Sequence, residues 1–389
     1  MKRNIAFLIA LYIGITPVLA GYIYGNMRFD NANRKYIVYV PDIYTTQNRS
    51  VPLLVGLHGF GDTIGSFSRI CMSNIADTAN YICVYPEALP DPVLGANAWN
   101  SGASTGIVVI NNGVKDNAFI NALVDTVISK YKIDTTRMYV FGFSFGGFMT
   151  DRLAAENSNR FAAAANVSGL RGNSLTVLPA KPMPYLKFHG TNDATIGYYG
   201  TSTLGFLPGL GMSAENTVKF WATQNQCNMT PVIDTMPDLA NDGKRFVRFS
   251  YNNGRENTRV IFYKVINGEH RWYGLPANDI SYCQTIWSFF RQYSRNSIIL
   301  SVRGNQQDEV RLKIYPNPSG EKIRIDVSAV KENINRLNVY SITGNLMYTM
   351  EVKGISPELS IDTKMPSGTY MIQLAGENGI LATEKVVIQ

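Results

Sequence analysis

A strand, a sharp turn and a helix are predicted in succession over residues 137–155, which read RMYVFGFSFGGFMTDRLAA. The apolar and aromatic residues 138–141 are typical of a buried strand, and residues 147–155 have the spacing of a helix. Between them lies Gly142-Phe143-Ser144-Phe145-Gly146. A Gly-x-Ser-x-Gly pentapeptide is weak evidence by itself, but between a strand and a helix it indicates a nucleophile elbow. Ser144 is therefore the candidate nucleophile.

The chemistry of this turn predicts where an oxyanion would bind. Glycines two residues before and after Ser144 remove side chains that would collide in the turn. The serine stands at a helix N-terminus, where backbone N–H groups such as that of Phe145 can face a developing negative charge. A second donor is expected near Phe60, in the Gly-rich turn 58–61 that follows the apolar residues 53–57. The alternative is a Gly-rich turn without chemistry.

The chain contains three histidines, and each follows a predicted strand. His58 and His189 are expected to shape loops, whereas His270 is the expected general base. Asp193 lies in the sequence HGTND and is expected to orient that base. The order Ser144, Asp193, His270 is the one used by α/β-hydrolases, and chymotrypsin-like and subtilisin-like enzymes use other orders. A zinc site is the rival, but no His-x-x-x-His spacing is present, so no metal or cofactor is predicted.

Strand and helix patterns alternate from about residue 35 to residue 295. This alternation predicts an α/β fold with a mostly parallel sheet flanked by helices, the α/β-hydrolase arrangement. Two long loops, 89–113 and 196–212, are candidates for functional roles. The predicted strands are residues 36–40, 53–57, 81–85, 138–141, 163–167, 185–188 and 260–265, and the predicted helices lie near 66–78, 113–131, 145–156, 214–225 and 279–293.

The two ends of the chain differ from this middle part. Residues 1–20 combine a charged start, a short apolar stretch and a small-residue exit, which is typical of a secretory signal peptide, with a membrane anchor as the alternative. From about Val310 onward only strand patterns and turns remain, which predicts a small all-β sandwich. The predicted domains are a signal peptide at 1–20, a catalytic domain at 21–297, a linker at 298–312 and a C-terminal domain at 313–389.

Charge and cysteine content limit the partners and the compartment. The net charge of +7 is spread along the chain without a run of Lys or Arg, so nucleic acid is not an expected partner. Export would permit disulfides among the four cysteines, Cys71, Cys83, Cys227 and Cys283. Sequence alone leaves three pairings open, and local pairing of Cys71 with Cys83 and of Cys227 with Cys283 is the working hypothesis.

Short motifs between about residues 30 and 293 extend the pattern around the candidate site. They are Arg34-Lys35-Tyr36, Val40-Pro41, His58 to Gly61, Tyr85-Pro86, Trp99-Asn100, Tyr131 to Asp134, Arg137 to Val140, Gly142 to Gly147, His189 to Asp193, Phe220-Trp221 with Cys227, Gly268 to His270, and Ile286 to Phe290. At these residues the chain resembles the secreted feruloyl and acetylxylan esterases and the polyhydroxybutyrate depolymerase-like enzymes.

This resemblance implies ester hydrolysis with Ser144, Asp193 and His270 as the triad, and it implies that Trp99 lies near the acyl or sugar site. The family more often has Gly where Glu269 stands and Pro where Tyr273 stands, which bears on substrate preference. Aromatic loop residues contact ligands in many sites, although packing is the alternative reading. The candidate contacts for the acyl or sugar group are Trp99, Tyr198, Tyr199 and Trp272.

A second set of motifs lies near the C-terminus. It comprises Ile314 to Pro318, Leu337 to Tyr340 with Gly344, Pro366 to Tyr370, and Glu384 to Ile388. In this order the motifs resemble the sorting domain of the type IX secretion system. The resemblance implies contact with that secretion machinery, passage through the periplasm, a secreted or cell-surface location and removal of the domain, whereas strand patterning alone also allows a ligand-binding β-sandwich.

The function expected from these features is that of a secreted serine carboxylesterase. The expected substrates are small or polysaccharide-linked esters, foremost feruloyl or acetyl esters of xylan. Three alternatives remain: a polyhydroxybutyrate-type polyester depolymerase, a serine peptidase with the same triad, and a non-catalytic surface binding protein. No propeller-like repeat of the kind that gates peptide access is present, which disfavours the peptidase.

Overall fold

The computed structural model describes residues 20–295, apart from 48, 106–107 and 201–208, and residues 312–389, apart from 321, 329, 331–332, 342–345, 353–356, 363–364 and 377–378. The chain divides into two compact units, Met1–Leu300 and Ser301–Gln389. Residues 1–19 of the predicted signal peptide and residues 298–311 of the predicted linker lie outside the described residues.

A ten-stranded sheet forms the centre of the first unit. Its strands are β1 (Gly21–Phe29), β2 (Ala32–Val40), β3 (Val51–Leu57), β4 (Ile82–Pro86), β5 (Ile133–Phe143), β6 (Ala163–Val167), β7 (Tyr185–Gly190), β8 (Val232–Thr235), β9 (Arg245–Tyr251) and β10 (Val260–Ile266). They lie in the order β1-β2-β4-β3-β5-β6-β7-β10-β9-β8.

The middle of this sheet is parallel, from β4 through β3, β5, β6 and β7 to β10. Strands β3, β4, β6 and β7 are buried at every position, which explains their nearly continuous apolar sequences, because both faces of a parallel sheet are covered. The prediction of an α/β fold with a mostly parallel sheet is confirmed. Since parallel strands all end at the same edge, the residues that follow β3, β5, β7 and β10 are brought together there.

Antiparallel strands complete both edges of the sheet. β1 pairs with β2 and β2 with β4 at one edge, and β9 pairs with β10 and β8 with β9 at the other. Strands β1, β8 and β9 are not among the predicted strands. β1 alternates between half-buried and exposed positions, and β8 is exposed at three of its four positions, so neither has the apolar run that marks a buried strand.

Helices cover both faces of the sheet and create two apolar cores. They are α1 (Asp42–Thr46), α2 (Ile64–Phe67), α3 (Met72–Ala79), α4 (Asp116–Lys130), α5 (Phe145–Glu156), α6 (Ala214–Gln224) and α7 (Tyr282–Phe290), with a 3-10 turn at Arg255–Asn257. Helices α4, α5 and α6 contribute Phe119, Phe148 and Trp221 to one core, while α3 and α7 contribute Met72 and Ile286 to the other.

The structure corrects the disulfide hypothesis. Cys71 bonds Cys283, and Cys83 and Cys227 are buried free thiols. The bonded pair is distant in sequence but close in space, because Cys71 caps α3, Cys283 lies in α7, and both helices belong to the same core. Cys83 faces that core from within β4, whereas Cys227 belongs to the core on the other face of the sheet. Nearness in sequence was therefore the wrong criterion.

The second unit contains two antiparallel sheets. One has the order β11-β12-β15 and the other β14-β13-β16-β17. Their strands are β11 (Lys313–Tyr315), β12 (Lys322–Asp326), β13 (Arg336–Ser341), β14 (Leu346–Glu351), β15 (Glu358–Asp362), β16 (Gly368–Gly376) and β17 (Gly379–Ile388). Inward residues of both sheets, such as Ile323 and Leu337, share one core, so the all-β prediction is confirmed.

Among the described residues, none of the helices combines the length and the apolar character needed to cross a bilayer.

Candidate active site

Ser144 stands between β5 and α5 in a strained backbone conformation. Its φ is 56° and its ψ is −121°, a combination that a residue with a side chain rarely adopts. The flanking glycines make the turn possible: a Cβ on Gly142 would lie 2.2 Å from the Gly146 carbonyl oxygen, and one on Gly146 would lie 1.9 Å from the Leu57 oxygen. The sequence therefore builds a sharp turn from strand to helix at Ser144, the backbone geometry expected of a nucleophile elbow, with the side chain at the start of α5.

The turn after β3 lies directly beside this serine. A Cβ on Gly59 would be 3.3 Å from the Ser144 Cβ, and the Phe60 and Phe145 rings are 5.4 Å apart between centroids. Within the described part of the chain, the backbone N–H groups of Phe60 and Phe145 have no hydrogen-bond acceptor. Two N–H donors on either side of a nucleophile are the arrangement that an oxyanion hole requires.

His58 stabilises that turn through two hydrogen bonds of its ring. Its Nε2 accepts a hydrogen bond from the Ala88 N–H at 3.0 Å, so its Nδ1 carries the proton and donates to the Gly59 oxygen at 2.7 Å. Burial lowers the pKa of His58 below its usual value, which favours the neutral ring. His58 therefore acts on the shape of the turn.

Asp193 and His270 meet at the ends of the neighbouring strands β7 and β10. His270 Nδ1 lies 2.8 Å from Asp193 Oδ2, and the other Asp193 oxygen accepts the N–H groups of Thr195 at 3.0 Å and Ile196 at 2.8 Å. The Asp193 side chain is fully buried, while that of His270 is 16% exposed. The carboxylate is thus held still, and the His270 Nε2 remains free to accept a proton.

His270 also lies next to the nucleophile elbow. Its ring is 4.8 Å from the ring of Phe143, the residue before Ser144. Over the described residues, no hydrogen bond joins the Ser144 hydroxyl to the imidazole. Such bonds are commonly long when no substrate is bound. The structure thus brings the predicted nucleophile, acid and base to one edge of the sheet.

A comparison with protein families identifies this fold. Residues 40–230, which contain Ser144 and Asp193, match the model described as phospholipase/carboxylesterase. Residues 313–389 match the secretion system C-terminal sorting domain, so the protein carries a signal for export to the cell surface or the medium.

Individual relatives of the first unit are esterases by name. A bifunctional acetylxylan esterase/xylanase of Neocallimastix patriciarum is 31% identical over 72% of this chain and 36% of its own length. A feruloyl esterase B of Piromyces equi is 28% identical over 52% of this chain and 37% of its own length. A feruloyl esterase B of Neurospora crassa is 34% identical over 36% of this chain and 44% of its own length. The chain thus spans less than half of each of these relatives.

Two of the predicted substrate contacts are buried in the first unit. Trp99 is fully buried, and its indole N–H donates to the His58 oxygen at 2.9 Å. Tyr198 is 3% exposed, and its hydroxyl donates to Glu215 at 2.8 Å. Trp99 therefore supports the turn beside Ser144, and Tyr198 is bonded to α6. Direct contact of either residue with a substrate stays a prediction.

The other two predicted contacts have different surroundings. Tyr199 is 81% exposed, at the start of a loop whose residues 201–208 lie outside the described part. Trp272 packs at 6.2 Å from Phe143 and at 6.0 Å from Tyr282, measured between ring centroids. Its indole N–H is buried and has no acceptor in the described residues. Trp272 and His270 therefore share Phe143 as a ring neighbour, and Tyr199 faces solvent.

Lys187 was missed by sequence reasoning. Its side chain lies in β7, two residues before His189, and is fully buried. The signal was present in the sequence, because Tyr185-Leu186-Lys187-Phe188 places a charged residue in a strand that was predicted to be buried. A buried parallel strand is normally apolar throughout, so a lysine there calls for a specific partner.

Within the described residues, no group of three or more His, Cys, Asp and Glu side chains is arranged to hold a metal ion.

Proposed function

We propose that the first unit is a secreted serine carboxylesterase that works through an acyl-enzyme, with Ser144 as nucleophile, His270 as base and Asp193 as the orienting acid. The observation that carries the proposal is the 2.8 Å contact between Asp193 and His270 beside the strained turn at Ser144. The carboxylesterase family match over residues 40–230 supports the same chemistry.

The proposed reaction has two steps. His270 takes the proton of the Ser144 hydroxyl as its oxygen attacks the ester carbonyl, and the N–H groups of Phe60 and Phe145 stabilise the oxyanion. The alcohol leaves with the proton held by His270 Nε2. Water, deprotonated by the same imidazole, then attacks the acyl-enzyme, and the acid departs as Ser144 regains its proton.

Feruloyl or acetyl esters on plant polysaccharide are the proposed substrates. The names of the relatives, acetylxylan esterase and feruloyl esterase, support this choice. A panel of feruloyl, acetylated-xylan, hydroxybutyrate and peptide substrates separates it from the polyester depolymerase and the peptidase. The proposal expects turnover of a feruloyl or acetyl ester to exceed that of the other two classes, and fastest cleavage of hydroxybutyrate or peptide would contradict it.

Export is proposed to use both ends of the chain. Residues 1–20 would direct the protein into the periplasm and be removed, and residues 313–389 would engage the type IX machinery. The sorting-domain match supports the second step. Expression of the chain with and without residues 313–389 tests it, because only the full chain should reach the surface or the medium.

The test of catalysis is Ser144→Ala, compared with Ser129→Ala on the exposed side of α4. Loss of the nucleophile is expected to lower kcat for short aryl esters by about a millionfold and to abolish labelling by a fluorophosphonate. The Ser129→Ala variant is expected to behave as the natural protein does. Unchanged turnover by the Ser144→Ala variant would exclude this serine as the nucleophile.

A further inference from the structure

The buried amine of Lys187 is surrounded by acceptors that match its donors. Its Nζ contacts the Gly169 oxygen, lies 3.4 Å from Asn166 Oδ1 and lies 3.0 Å from His189 Nδ1. A lysine ammonium has three donors and no acceptor, so these three groups satisfy it. The contact with His189 therefore makes the imidazole nitrogen an acceptor.

The opposite nitrogen of His189 reaches the loop that carries Asp193. His189 Nε2 lies 2.8 Å from the Ile196 oxygen and 3.5 Å from Asp193 Oδ2. Because Lys187 occupies Nδ1, the proton of the neutral ring must sit on Nε2, where it can donate to the Ile196 carbonyl. Burial, with the nearby Lys187 charge next in importance, lowers the pKa of His189 well below its usual value and keeps the ring neutral.

Ile196 connects this histidine to the triad. Its N–H donates to Asp193 Oδ1 at 2.8 Å, and its carbonyl is the group that His189 holds. The remaining oxygen of Asp193 contacts His270 at 2.8 Å. The contacts thus run from Lys187 through His189 and Ile196 to the acid, and from the acid to the base.

We propose that Lys187 and His189 are positioning residues for the triad: Lys187 sets the tautomer of His189, and His189 holds the loop that orients Asp193 and, through it, His270. This inference rests on the proposed esterase function. It concerns residues that touch neither the substrate nor Ser144.

The surroundings of Lys187 support a specific role over simple packing. The nearby carboxylate of Asp151 is already bound by Arg171 at 2.8 Å, and by the Tyr185 hydroxyl and the Trp221 indole. Burial lowers the pKa of Lys187 to about 7, and Asp151 and Asp193 oppose that shift. An apolar side chain would avoid this desolvation, so the amine is retained at a cost to the fold.

The first test compares two replacements of His189. In His189→Gln the side-chain amide can place an N–H near the position of Nε2, whereas His189→Asn can mimic only Nδ1. The proposal expects kcat of the Gln variant to exceed that of the Asn variant by about tenfold, because only the former keeps a donor to Ile196. Equal kcat values for the two variants would overturn the proposal.

The second test removes the amine and asks whether its effect passes through His189. Lys187→Met is expected to lower kcat by about 100-fold with little change in KM, since the imidazole can then adopt the other tautomer. In the His189→Gln background, Lys187→Met is expected to lower kcat by less than about threefold, because no imidazole tautomer remains to be set. Equal losses in both backgrounds would overturn the proposal.

Controls separate positioning from folding and from the proposed function. Lys264→Met changes the lysine paired in register with His189 on β10 and is expected to leave kcat within about twofold. Rates are divided by the fraction of sites that a fluorophosphonate titrates, so misfolded protein does not count. If Lys187→Met does not fold, the His189→Gln and His189→Asn pair decides. A natural chain without Ser144-dependent turnover would overturn the proposed function, and this inference with it.

Discussion

Two His-Gly pairs, His58-Gly59 directly after β3 and His189-Gly190 at the end of β7, lie at the carboxyl edge of the sheet. Both imidazoles are fully buried, and burial lowers the pKa of each. Their tautomers are nevertheless opposite: His58 donates from Nδ1 to Gly59, and His189 donates from Nε2 to Ile196. One pair shapes the turn beside the nucleophile, and the other holds the acid.

The difference between the two pairs shows that the hydrogen-bond partners of a histidine determine its role. His58 has a backbone N–H as the donor to its second nitrogen, whereas His189 has the side chain of Lys187. His270, the third histidine, has a carboxylate on one side and partial solvent access on the other. Only this last environment leaves a ring nitrogen free to accept and return a proton.

The largest expected difference among the histidines is in catalysis. His270→Gln is expected to lower kcat/KM by about 10,000-fold or more, because no other group near Ser144 can take its proton. Its free energy of unfolding should change by less than about 0.5 kcal/mol, since the His270 side chain is partly exposed. Steady-state kinetics and urea denaturation measure both quantities. Retention of a tenth of the activity would exclude His270 as the base.

The next difference is in stability. His58→Ala is expected to lower the free energy of unfolding by about 2–4 kcal/mol, because it leaves the Ala88 N–H unpaired and opens a cavity beside Trp99. Urea denaturation followed by tryptophan fluorescence measures it, as all four tryptophans lie in the first unit. The matched comparison is His270→Gln. Equal destabilisation by the two variants would remove the distinction between bracing and catalytic histidines.

The smallest expected effect is a dependence of stability on pH. The pKa values of His58 and His189 are lowered in the folded protein. The contribution of these rings to the free energy of unfolding is therefore complete above their unfolded pKa of about 6.5, and it is lost as the pH falls. Protonation of each ring is therefore expected to lower the free energy of unfolding as the pH falls below about 6.5. Burial lowers the pKa of Lys187 to about 7 in the folded protein. The free energy of unfolding is therefore expected to rise as the pH increases from 7 to about 10.

Urea denaturation of the natural chain and of His58→Ala at pH 5, 6, 7 and 8 tests this linkage. The variant should lose one titrating ring and show a shallower slope between pH 6 and 5. Identical slopes would mean that His58 takes up its proton in the folded protein, contrary to its buried position.

The parts of the fold that local sequence determines were predictable. The parallel strands have continuous apolar sequences, and the glycines around Ser144 reveal the elbow, so both could be read without coordinates. The strands β1 and β8 were not predicted, because their exposed faces lack the continuous apolar pattern of a buried strand.

Features that depend on packing between distant segments could not be predicted in the same way. The Cys71–Cys283 bond requires knowledge that α3 and α7 belong to the same core. Trp99 was expected near the acyl or sugar site, but its burial against the turn after β3 could not be predicted from the sequence. Lys187 was predictable only in part. The sequence shows a charged residue within an apolar strand, but it does not show that His189 is its partner.

The Cys71–Cys283 bond has a topological consequence. It closes a covalent ring of the chain with a sequence separation of 212, and Ser144, Asp193 and His270 all lie inside it. A single cut by a protease at any point of this ring would leave both pieces tethered, with the nucleophile and its partners still on one molecule. For an exported protein, the bond therefore keeps these three residues on one molecule after one nick within the ring, and a further cut or a reductant is needed to release a fragment.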